Sequence, residues 1–133
     1  MVFRKFDTCI WIDRWFEKLT HQEKFAFIYL WTNDHCNQAG FYEISLSRIE
    51  YELGFNIEKT FLALKPKVEW FPDCSTVWVK NFFRHQCQND KFCIAALNSL
   101  KQDAFKLQLF IEYNSNILSA HKINLSKYES DMV

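Results

Sequence analysis

A mainly helical α+β domain carrying one small β hairpin is the fold class this sequence predicts, on three observations. Two capping-box patterns, Thr20 with Glu23 and Ser47 with Glu50, sit at the starts of runs able to form helices. Ile57, Phe61, Leu64 and Val68 fall at i, i+4, i+7 and i+11, which is one face of a helix. The runs "VEWF" and "TVWVKNF" are rich in β formers and flank the polar, proline-containing "PDCS", the pattern of a hairpin.

Composition bounds the rest. The chain has 133 residues, within the roughly 100–200 of one domain, and its 49% hydrophobic and 18% aromatic residues can fill a core. Only 2 Gly and 2 Pro argue against disorder and against a turn-rich β-sandwich. Lys+Arg and Asp+Glu number 16 each, so no overall basic balance attracts nucleic acid and any DNA contact rests on local placement of charge. Lys5, Asp7, Asp13 and Arg14 interrupt the first apolar residues, so no secretory signal is expected. No apolar run reaches the roughly 18 residues of a membrane span. The 5 irregularly spaced cysteines fit reduced thiols better than a disulfide framework, and a cytoplasmic protein without membrane contact is expected.

The elements follow in order. "VFRKFDTCIW" alternates imperfectly and reads as a short strand or extended arm. "DRWFEKL" reads as a short helix entered at Asp13 and ended near Leu19. Thr20 and Glu23 then cap "HQEKFAFIYLWTN", apolar on nearly every face, which is the habit of a buried central helix. After the polar loop "DHCNQAG", Gly40 leads into the short strand "FYEI". Ser45 and Ser47 offer caps for "LSRIEYEL", which Gly54 stops. The Ile57 helix is limited by Pro66, because an interior proline loses a hydrogen bond and clashes with the preceding turn. Behind the hairpin, Asn89 or Asp90 caps a last helix. Cys93, Leu97, Leu100, Ala104, Leu107 and Ile111 recur along it as a heptad-like seam. Residues 1–101 form the expected domain, 102–114 a helical extension and 115–133 a polar, flexible tail.

A helix-turn-helix, "SLSRIEYELGFNIEKTFLALK", followed by the hairpin "VEWFPDCSTVWV", is the layout of a winged helix. The aromatic rings of "CIWIDRWFEKLTHQEKFAFIYLW" are spread over a strand end and two helices. That spread wedges elements together rather than lining one stacking groove.

In this order the segments "DTCIWIDRWFEKLTHQEKFAFIYLWTN", "GFYEIS" and "VWVKNFFRHQ" resemble the N-terminal winged-helix domain of phage and prophage replisome organisers. These are related to DnaD-type primosomal proteins. The resemblance covers roughly Phe3 to Leu100 and lies in the order of its pieces. It implies a role in replication initiation through binding DNA, self-association, or recruitment of the helicase or its loader.

The residues themselves suggest where such contacts fall. On the helix after Ile57 the outward positions are Lys59, Leu62, Ala63 and Pro66. Only one is a good base reader, and Glu58 at the positive helix start repels phosphate. Lys59, Lys65, Lys67, Lys80, Arg84 and His85 are therefore candidates for phosphate contact, with Arg4, Lys5 and Arg14 near the start as further basic residues. Leu62, Ala63 and Pro66, with the seam residues Leu97, Leu100, Leu107 and Ile111, are candidates for a partner or a second copy. A scaffold without DNA contact and a winged-helix transcriptional regulator are the alternatives.

Cys74, His85, Cys87 and Cys93 lack the paired C-x2–4-C spacing of zinc ligands, and His35 beside Cys36 sits in a loop, so no metal is expected. There is no Gly-rich phosphate loop, nucleophile elbow or H-E-x-x-H. Glu50 and Glu52 suit a solvated helix face, so neither catalysis nor a cofactor is expected.

Overall fold

The computed structural model describes residues 2–129. The N-terminal arm runs extended, without strand pairing, into a 3-10 turn at Thr8–Ile12 that Asp7 caps. Gln86 ties the arm down: its amide oxygen accepts from the Lys5 N–H at 2.8 Å and its Nε2 donates to the Lys5 carbonyl at 2.6 Å. Asp13 caps α1 (Arg14–Glu17), accepting from the Phe16 amide.

The Thr20–Glu23 capping box forms in full and starts α2 (His21–Thr32). As its all-round apolar sequence implies, α2 lies inside, with Ala26, Phe27, Leu30 and Trp31 buried. Of the aromatic cluster, Phe16, Phe27 and Trp31 are core, Trp15 and Tyr29 half-buried, while Trp11 and Phe25 lie on the surface.

Strand β1 (Phe41–Glu43) leads to α3 (Leu46–Leu53) and α4 (Glu58–Leu64). The expected Ser47–Glu50 box does not form. Ser45 is the cap of α3 and accepts from the Arg48 amide, so Ser47 falls inside the first turn. Glu50 instead accepts from the Ile57 amide at 2.9 Å and fixes the turn between α3 and α4. Gly54 ends α3 in the left-handed region (φ 84°), where a residue without Cβ is at ease.

The hairpin is as expected: β2 (Val68–Phe71), a 3-10 turn at Pro72–Cys74, and β3 (Thr76–Val79). β3 is the centre of an antiparallel sheet ordered β1-β3-β2, with Phe41 opposite Trp78 and Val68 opposite Val79. Because side chains alternate along a strand, β3 serves two cores. Val77 and Val79 pack with Phe27, Leu30, Ile49, Ile57, Phe61 and Leu64 under α2–α4. Trp78 and its stacked neighbour Phe41, 4.7 Å apart, face Phe83, Leu97, Leu107, Phe110 and Leu118 on the other side.

That second layer differs from the sequence reading. A short helix α5 (Phe82–Gln86) follows the sheet. The seam is not one helix: α6 (Asp90–Leu100), capped by Asn89, breaks at residues 101–103, and Asp103 caps α7 (Ala104–Tyr113). The break folds α7 back on α6, so Leu97, Leu100 and Leu107 are core residues and not an interaction surface, while Ile111 is half-buried against them. Where the sequence suggests a flexible tail from residue 115, the structure has α8 (Ser115–Ala120) and α9 (Ser126–Glu129). Leu118 and Tyr128 are each buried in the second core, the isolated apolar anchors that a mostly polar sequence hides. The part of the expected tail at 130–133 lies outside the described residues. Among the described residues, no helix is long and apolar enough to cross a membrane.

Candidate nucleic-acid interface

The foot of the hairpin gathers most of the candidate basic residues. The Lys80 amide donates to the Lys67 carbonyl at 3.1 Å, closing the base of β2 and β3 and setting the two lysines side by side. Lys67 Nζ stands over the Trp15 ring at 5.9 Å, and Lys67 and His85 line one cleft with Asn81. Around the corner, Lys80 lies over the rings of Trp78 and Tyr113, and the Arg84 guanidinium stacks 4.5 Å above Tyr113 while donating to its carbonyl oxygen at 2.9 Å. Asn81 accepts from the Tyr113 hydroxyl at 2.8 Å, so α7 braces this cluster.

Not all of that charge faces solvent unopposed. Lys80 pairs with Glu69 at 3.6 Å, a half-buried ion pair at the surface. In the cleft, Asp7 accepts from the Cys9 amide, which holds its carboxyl below the usual carboxylate range and keeps it negative. The cleft, about 160 Å³, is smaller than the roughly 300–1,000 Å³ of ligand pockets, and its acidic rim at Asp7 and Asp13 opposes an anion.

Lys59 on α4 and Lys65 at its C-terminal end are exposed and without an acidic partner among the described residues. Between them Leu62 is 67% exposed, Ala63 is half-buried, and Pro66 is exposed beyond the helix end. The face therefore mixes two cations with an apolar ridge. Across the molecule, Tyr29 donates to Glu52 at 2.6 Å and Arg48 meets the same carboxylate at 2.8 Å, a polar seam joining α2 to α3. Burial pushes the Tyr29 phenol above its ordinary range, so it stays a donor at neutral pH.

The metal candidates separate. Cys74 is exposed at the hairpin tip and His85 sits in the cleft, but Cys87 and Cys93 approach to 3.2 Å across the α5–α6 junction. His121, at the end of α8, joins them with its Nε2 3.8 Å from the Cys87 sulfur. Spacing in sequence hid this set, because its third member lies in the stretch read as tail.

Pieces of the motif that carried the family resemblance have packing roles. Asp13 caps α1, Asn33 donates to the Tyr42 hydroxyl at 2.7 Å, and Tyr42 donates to the Leu30 carbonyl at 2.7 Å. Gly40 lets β1 approach Phe82. The chain matches no protein-family model, no curated protein and no solved structure.

Proposed function

We propose that this chain is a winged-helix module of the phage replisome-organiser type, without catalytic activity of its own. It touches DNA through the phosphate backbone and presents α4 to a replication partner such as a helicase or its loader. The observation that carries the reading is the order α2, β1, α3, α4, β2, β3 with β1 paired to β3, accompanied by cations at the hairpin foot. Lys59, Lys65 and Lys67 are its phosphate contacts, and Lys80 and Arg84 support them from the Tyr113 corner. Base reading is not part of the proposal. The α4 face offers Glu58, Leu62 and Ala63 where a recognition helix needs polar readers, and the outer sheet face is covered by α6–α8.

The test is anisotropy titration of duplex and single-stranded DNA at two salt concentrations. Binding should weaken with salt, and the triple exchange of Lys59, Lys65 and Lys67 to Gln should reduce the duplex salt slope by about 0.9 for each phosphate no longer neutralised. Undetectable binding at low salt would reject the DNA contact.

One observation favours a scaffold instead: Leu62 is 67% exposed in the middle of the α4 face. A second copy or a partner covering it would bury an apolar ridge. Leu62→Asp should then abolish self-association in sedimentation while leaving the far-ultraviolet circular dichroism spectrum unchanged. A wild-type chain that stays monomeric at high concentration and recovers no replication protein would count against this reading.

A further inference from the structure

Three soft or borderline ligands converge where the second core meets the surface. Cys87 caps the C-terminus of α5, Cys93 lies in the first turns of α6, and His121 follows α8. Their ligand atoms all lie within 4.8 Å of one another, with 3.2 Å between the sulfurs and 3.8 Å from the Cys87 sulfur to Nε2 of the histidine. In a tetrahedral zinc centre, bonds of about 2.3 Å to sulfur and about 2.0–2.1 Å to nitrogen place two sulfurs about 3.8 Å apart and sulfur and nitrogen about 3.6 Å apart. The distance from the Cys87 sulfur to the imidazole is close to that spacing, and the two sulfurs need part by only about 0.6 Å to reach it.

A second observation points the same way. The Asp90 carboxylate lies 2.8 Å from His121 Nδ1. A carboxylate can only accept, so Nδ1 carries the proton and the Nε2 lone pair faces the sulfurs. This carboxylate–histidine pairing is the arrangement that orients metal-bound imidazoles. A shallow hollow bordered by Gln88, Asn89, Lys91 and the Asp90–His121 pair leaves the histidine side of the cluster open to solvent.

We propose that Cys87, Cys93 and His121 bind one zinc ion, with a water completing the tetrahedron. Thiolate and imidazole ligands select zinc over hard cations such as magnesium or calcium. Binding releases the two thiol protons to solvent, and the doubly charged cation neutralises the two thiolates in a partly buried setting. The site joins the α5–α6 junction to the end of α8, so zinc fastens α8 to that junction. Asp90 acts as a positioning residue.

The experiment uses the full chain, reduced and stripped with a chelator, titrated with cobalt as a spectroscopic substitute and then with zinc. One equivalent should give intense visible d–d bands and a near-ultraviolet thiolate charge-transfer band, both displaced by zinc, and zinc should raise the thermal midpoint. Cys93 is fully buried, so Cys87→Ser and His121→Asn carry the test, with circular dichroism showing that each folds. Both should lose the charge-transfer band or bind far more weakly, Asp90→Asn should weaken binding about 10–100-fold, and Cys74→Ser should change nothing. No thiolate band at one equivalent, or the same affinity in Cys87→Ser and His121→Asn as in the parent, would overturn the site. So would a Cys87–Cys93 pair that takes up no metal after full reduction.

Discussion

Gly40→Ala is expected to destabilise the fold by about 2–5 kcal/mol, among the largest effects of any single methyl group added to this chain. Two costs coincide there. Gly40 has φ of 68°, a left-handed conformation costing an L-residue roughly 1–2 kcal/mol. An added Cβ would also lie 2.6 Å from the Phe82 Cβ, an atom fixed to the backbone of α5 and buried, so the helix itself would have to shift. Overpacking of that kind typically adds about 1–3 kcal/mol. Gly54 separates the two contributions. Its φ is 84°, but a Cβ there would meet nothing within 4 Å, so Gly54→Ala should show the backbone cost alone. Urea unfolding of both variants with unchanged m-values measures the difference. Equal losses would mean that the contact between β1 and Phe82 is not tight.

Leu118→Ala should lower stability by about 2–5 kcal/mol, as for a fully buried leucine. Leu118 is the anchor of α8, packed in the core that includes Phe83, Phe110 and Leu107. Had residues 115–129 been a solvated tail, the exchange would be silent. The neighbouring Ser119, exposed on the same helix, is the comparison, and Ser119→Ala should change stability by less than about 0.5 kcal/mol. A cost at Leu118 no greater than at Ser119 would return this stretch to a tail.

The contrast between Gly40 and Leu118 shows which parts of the fold were legible in the sequence. The helical face read over Ile57–Val68 holds only to Leu64, where α4 ends, and Val68 opens β2, though the four residues share one core. Elsewhere local chemistry spoke clearly: the Thr20 cap, Gly54 as a stop and the hairpin around Pro72 act as read. Each depends on neighbours within about one or two helical turns. What escaped was decided by distant partners. Ser45 caps in place of Ser47, and Glu50 is engaged by the Ile57 amide across the α3–α4 turn. Asp103 breaks the long seam by capping a new helix, turning three surface candidates inward. Leu118 and Tyr128, single apolar residues among polar ones, carry no periodicity to detect. The cation cluster was half legible. Lys67, Lys80, Arg84 and His85 do meet, but acids temper them, Glu69 from β2 of the same hairpin and Asp7 from the distant N-terminal arm. The His121 ligand could be found only once α8 was placed.

Covering the sheet on both sides also determines how the molecule comes apart. Val77 and Val79 belong to one core and Trp78 to the other, on consecutive residues of one strand. Withdrawing β3 from either layer removes it from both. The N-terminal and C-terminal halves therefore behave as a single cooperative unit, whose slowest-exchanging amides are those of Thr76–Val79.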